Sequence, residues 1–352
     1  MKRKNNILNI LANALILLFI CCMLLKPQVC KEGVIRGILL CGRVIIPSIF
    51  PFTMCVLFIL KSGVLRKFCF LNPVTQRAFG LSFECFVIFL LSLIGGFPIG
   101  AKLLNESVSI KKTDQKTAQI MLCYCVNAGP AFVIFAIGTF LGSVKLGYVL
   151  FFSGTAASLI IAFALRRLLK NEGQVQPTVL MVNAADNFVQ STAQAAEAVM
   201  NICGFVILFS GINSYINLLS TQFTTMKYIS LLLEITNAVT LTENVYIIAF
   251  LLGFGGVSVW CQIFSVSKDI QINYIKFIFF RVLHGILCFI LTRIIIKAFN
   301  ITLPTISNYK TFIGQTFYTS GAVAGAMLVM CLSFVVAITT KKYAGKLIDD
   351  VV

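Results

Sequence analysis

The chain has 352 residues, 59% of them hydrophobic and only 12% charged, with a mean hydropathy of +0.95 and a formal net charge of +17. That apolar share excludes an ordinary soluble domain, whose hydrophobic fraction lies nearer one half. The 29 basic residues outnumber 12 acidic ones, but they sit in short loops between apolar runs, which excludes a nucleic-acid surface and fits a protein oriented in a bilayer.

Lys2, Arg3 and Lys4 precede an apolar run at 7–25 that ends at Leu25, Lys26 and Pro27 with no small-residue cleavage site. A retained first span is expected there, with the N-terminus cytoplasmic, and 1–32 forms an N-terminal unit. The next run, 34–60, carries Pro47 and Pro51 on one helical face and should be a kinked span. Residues 61–83 hold Lys61, Arg66, Lys67 and Arg77 and read as a cytoplasmic loop.

The apolar run 84–104 then meets Gly95, Gly96, Pro98, Gly100 and Lys102. Glycine weakens a helix and proline removes a backbone donor, so the helix should break there. Were 84–104 to cross fully, Lys111, Lys112 and Lys116 would lie outside, as would Arg166, Arg167 and Lys170 after spans at 118–141 and 147–165. A hairpin that enters, turns at the glycines and returns places all of them inside, so the charge rule predicts a re-entrant hairpin.

A polar linker is expected at 166–195, followed by a span at 196–219. The apolar piece 228–241 is too short to cross roughly 30 Å of hydrocarbon as a helix and reads as re-entrant. Spans at 245–267, 275–299 and 321–340 follow, with Lys341, Lys342 and Lys346 in a basic tail; Lys268, Lys276 and Arg281 count as cytoplasmic cations. Residues 33–165 and 196–300 then repeat one order of elements from opposite faces, and 301–352 closes the chain. The fold class expected is an all-α polytopic membrane protein, an inverted repeat with re-entrant helical hairpins and broken helices.

Four breaks should converge: Gly95 to Lys102; Asn127 to Pro130, with Gly129; Glu234 to Asn237, with Thr236; and Gly253 to Ser258, with Gly255 and Gly256. Half-helix N-termini there would offer backbone amides to a small polar or anionic solute. The alternative is that the glycines serve only close helix packing. Glu234 is a carboxylate at membrane depth, suited to hold a coupling proton or cation, to pair with Lys102 or Arg43, or to pin the second hairpin. Arg43 contacts the solute or forms an ion pair, while Arg36 is interfacial. Arg281 and His284 share a helical face, and a hydrogen-bonded histidine is favoured over a proton relay. Trp260 is expected to pack, with stacking on a ring-shaped solute as the alternative.

Thirteen cysteines, mostly inside apolar spans and without a CxxC pair, read as small apolar residues. No metal set, cofactor site or nucleophile–base constellation is present in the pattern, so no enzyme is expected.

The runs Pro47 to Phe52, Gly96 to Lys102, Asn127 to Pro130, Leu233 to Asn237 and Phe254 to Val259 resemble the sporulation integral membrane protein family YlbJ. That family is similar to the wider nucleoside-recognition (gate) domain membrane proteins. The resemblance implies a multi-pass protein of the bacterial inner (plasma) membrane, tied to spore cortex formation, with a transporter-like core. It implies as partners the lipid bilayer, a small polar or anionic solute and other sporulation membrane proteins, with a homo-oligomer left open. A non-transporting scaffold that recruits cortex-building partners through 61–83 and 166–195 is the alternative.

Overall fold

The structure, a computed structural model, describes residues 2–62, 68, 70–109, 111–169, 183–235, 242 and 244–303. The expected span at 321–340, the basic tail, and the candidate residues Thr236 and Asn237 lie outside the described residues.

Among the described residues every regular element is helical. Four helices are long and apolar enough to cross a membrane: Val144–Leu168, Ala184–Ser220, Val245–Val266 and Tyr274–Ala298. Two bent pairs, at 106° and 70°, raise the number to six if each is one span. The protein is therefore an all-α polytopic membrane protein.

Helix α1 (Lys2–Leu25) meets α2 (Pro27–Leu40) in the 106° bend at Lys26. Pro27 is at the start of α2, where its missing N–H costs nothing. A wide π turn, Cys41–Ile45, joins α2 to α3 (Ile46–Lys61). Pro47 and Pro51 cannot donate to the turns before them, and the π turn is where the hydrogen-bond ladder absorbs that change of register. Gly33 and Gly37 let α2 lie directly on a later helix, α10: a Cβ at Gly33 would stand 1.9 Å from Ser214 Oγ.

The predicted loop 61–83 contains a short helix, α4 (Asn72–Phe79), ended by Gly80 at φ +69°. Ser82 then caps α5 (Phe83–Gly95) by accepting from the Cys85 amide. Gly96, at φ +88°, breaks the helix, and α6 (Phe97–Ser109) follows. The two helices form a hairpin. Gly100 and Ser92 are eight residues apart, yet a Cβ on Gly100 would fall 2.6 Å from Ser92 Cβ, an approach no straight helix permits. At the far end Thr113 Oγ1 reaches both Cys85 Sγ (3.4 Å) and Ser107 Oγ (2.6 Å), and Lys112 pairs with Glu84 at 3.4 Å.

The charge argument thus finds its physical basis at that end. Arg166 donates to the Ala78 carbonyl at 3.4 Å, and Asp269 joins Asn105 at 2.8 Å, so the basic segments around Arg77, Lys111, Lys112, Arg166 and Lys268 gather together. At the opposite end Tyr215 donates to the Lys26 carbonyl at 2.9 Å.

Helix α7 (Gln115–Leu122), capped by Asp114, unwinds over 123–129. It resumes as α8, a π-helical Ala131–Ile137 running on through Gly138–Phe140. Helix α9 (Val144–Leu165) returns along it, capped by Ser143. Helix α10 (Ala184–Ser220) starts well before the expected 196, because Asn183 supplies a cap inside the predicted linker. Then come α11 (Thr224–Leu233), which stops at Glu234 in extended backbone; α12 (Val245–Phe254); α13 (Gly256–Val266); and α14 (Tyr274–Ala298). The first long helices of the halves pack together, α2 and α3 on α10, and so do the last, α9 on α14.

Candidate functional site

The four breaks meet in two backbone pairs, first with second and third with fourth, and the Phe97 ring joins the pairs. A Cβ on Gly129 would sit 3.0 Å from the Ile94 carbonyl and 3.2 Å from the Gly96 amide nitrogen, so the first hairpin tip rests directly on the first broken span. Gly255, at φ +88°, approaches the Phe97 ring at 3.7 Å by the same measure. Gly256, at φ +76°, lies 3.3 Å from the Leu232 and Leu233 carbonyls, against the end of α11. Side chains would hold these segments apart, and the left-handed backbone at Gly96, Gly255 and Gly256 is the second reason for glycine there.

Where they meet, a cavity of about 50 Å³ opens, room for a few ordered waters. Gly95, Gly96, Phe97 and Pro98 line it from the hairpin tip, Gly129 from the first break, Glu234 from the end of α11, and Val259 and Gln262 from α13. Ile45, Ile49, Ile202 and Val206 close it with apolar surface from α10 and the α2–α3 span. Glu234 is 1% exposed and is the one ionisable side chain among the described residues that line the cavity. A buried carboxylate is costly without a partner or a task, which makes Glu234 the candidate position in this cavity.

Behind the first break stands a second polar centre. Arg281 on α14 is 1% exposed, the largest fully buried side chain among the described residues. Its guanidinium donates to the Val126 carbonyl, at the unwound end of α7, and to the Gly253 carbonyl, in the last turn of α12. Both are carbonyls that a broken helix leaves with partial negative charge. A guanidinium only donates, so Nη2 donates to His284 Nδ1. His284 Nδ1 also lies 3.0 Å from the Gly253 carbonyl, and Nε2 faces Ser158 Oγ at 3.0 Å and the Gly154 carbonyl at 3.1 Å. Ser158 donates in turn to Asn127 Oδ1, and Asn127 Nδ2 to the Tyr124 carbonyl at 2.8 Å. A smaller cavity of about 20 Å³ lies here, lined by Asn127, Thr155, Gly253 and His284. The segment from Asn127 to Gly129 therefore separates a carboxylate chamber from a cationic centre.

The predicted residues divide accordingly. Gly95, Gly96, Pro98, Gly129 and Glu234 share the cavity, and Gly255 and Gly256 adjoin it. Ser258 is buried beside it, accepting from Gln262 at 3.4 Å. Gly100 serves packing, pressed on the Cys125 carbonyl. Asn127 does not cap the resumed helix; it bonds back to Tyr124 and across to Ser158. Lys102 does not pair with Glu234: it reaches out along α6, donating to the Gln194 carbonyl at 3.3 Å and lying 4.0 Å from Glu197. Arg43 lies on the π turn and does not line the cavity. Arg36 has a side chain 61% exposed and does not line the cavity; it donates to Ser214 at 2.9 Å and lies 3.9 Å from Glu32. Trp260 packs, donating to the Phe254 carbonyl at 2.9 Å with its ring 4.7 Å from that of Phe254.

Arg281 corrects the charge reading, which placed it with the cytoplasmic cations; it is an interior residue. The signal for it was present in its spacing of three from His284, whose expected hydrogen-bonded role the structure bears out.

No protein-family model matches this chain, and no solved structure does. The chain is 22% identical to the sporulation integral membrane protein YlbJ of Bacillus subtilis (strain 168), across 74% of this chain and 76% of that protein.

Proposed function

We propose that this protein is a plasma-membrane component of the sporulation machinery that moves a small polar or anionic solute through a gate-like core. Its halves are read as an inverted repeat with the N-terminus cytoplasmic. The observation that carries the reading is the shared cavity: three segments far apart in sequence each interrupt a helix, and the interruptions line one largely apolar space that holds the buried Glu234 carboxyl and Gln262. Irregular backbone in a membrane protein belongs where it lines a cavity, and broken helices around a central site are the architecture of secondary transporters. The likeness to YlbJ supports the sporulation setting.

Lys102 has no part in the solute site on this reading, and Glu234 has a central one. In proteoliposomes challenged with a panel of small organic acids, nucleosides and amino acids, Glu234→Gln should lower initial uptake about tenfold or more, a barrier change of about 1.4 kcal/mol. Lys102→Ala should stay within about twofold, because its partners Gln194 and Glu197 lie off the cavity and Glu197 is solvent-exposed. Equal rates in wild type and Glu234→Gln would remove the carboxylate from the mechanism. Vesicles inert to the whole panel would favour the scaffold.

A further inference from the structure

Arg281 is hydrogen-bonded but not neutralised. Its partners are two carbonyl oxygens and an imidazole nitrogen, none with a full negative charge. Among the described residues Arg281 forms no ion pair; the carboxylates of Glu32, Glu197 and Glu84 pair with Arg36, Lys102 and Lys112. Its Nε, fully buried, meets no acceptor among the described residues. A full positive charge is thus kept in the membrane interior, where it is expensive unless it has a task.

We infer that Arg281 is the residue by which the central cavity prefers an anion to a neutral solute of the same shape. This rests on the reading of that cavity as a solute site. Arg281 does not touch the cavity; it acts across the first break. Its acceptor Val126 stands three residues before Gly129, which lines the cavity, and three extended residues span about 10 Å. With the guanidinium on the order of 10 Å from a bound solute and an effective dielectric constant near 20, one positive charge favours a bound monoanion about 15-fold. Lys102, the cation at the first hairpin, reaches instead for Gln194 and Glu197 and does not line the cavity. Glu234, which lines it, opposes an anion and so masks the preference when ionised.

The test uses acetate and acetamide, a charged and a neutral probe of one shape, titrated into the detergent-purified full chain and read by calorimetry or ligand-induced thermal stabilisation. In a Glu234→Gln background acetate should bind about 15-fold tighter than acetamide. Adding Arg281→Gln should bring the ratio close to one, and adding Arg281→Lys, which keeps the charge and loses the fork, should preserve it. A merely structural arginine would weaken both probes equally and leave the ratio unchanged, which overturns the inference. A parent ratio near one overturns it as well, and that measurement needs no folded Arg281 variant. Vesicles that fail to take up any solute while the ratio holds would defeat the transport reading and leave the charge preference standing.

Discussion

Gly100→Ala is expected to destabilise the protein by about 3 kcal/mol or more, the upper range for an overpacked site. The added methyl would stand 2.0 Å from the Cys125 carbonyl oxygen and 2.6 Å from Ser92 Cβ. The first neighbour is backbone at the start of the broken span, so no rotamer change can relieve the clash. Either the hairpin arms separate or α6 leaves α7, and both expose the break that the hairpin tip covers. Gly204, on α10, is the control: nothing lies within 4 Å of its built Cβ. Gly204→Ala should be neutral or stabilising by up to about 1 kcal/mol through helix propensity alone. Thermal unfolding of the purified variants separates the two, and equal midpoints would refute the close approach of α6 to the first break.

Arg281→Leu should be comparably severe, about 3–5 kcal/mol, because it strands polar groups already removed from water. The Val126 and Gly253 carbonyls would lose the guanidinium donor, and His284 Nδ1 would lose its guanidinium partner. Leucine keeps the helix propensity, so the loss combines the stranded polar groups with the space that the guanidinium leaves. Arg281→Gln, with an amide able to serve one carbonyl, should fall between. A wild-type unfolding midpoint in Arg281→Leu would mean that the guanidinium does not hold the two broken spans.

These two positions also mark what reading the chain reaches and what it does not. The break at Gly95 to Gly100 was legible because glycine and proline act locally: each removes propensity or a donor wherever the helix sits. The hairpin was legible because a charge count is insensitive to side-chain direction, and Arg166 by Ala78 with Lys112 by Glu84 show the basic segments at one end. The convergence of Glu234 with the first hairpin tip followed from the pattern of breaks. The partners of Lys102 did not, because they depend on which face of α6 meets α10, a matter of packing between segments far apart in sequence. Arg281 was misplaced for a similar reason. It lies within two turns of the start of α14, where a cation normally reaches the interface, and only the walls made by the first break and α12 turn it inward.

The central claim is that interruptions from the two halves face one another across a single cavity, Phe97 from the first and Ile235 from the second. In a background with the native cysteines replaced, Phe97→Cys and Ile235→Cys should be joined by a short bifunctional thiol reagent in native membranes. The two halves should then stay together after cleavage at a protease site introduced within 171–182. Cysteines that each react singly yet never join, under conditions where the protein is folded, would contradict the shared cavity and the function built on it.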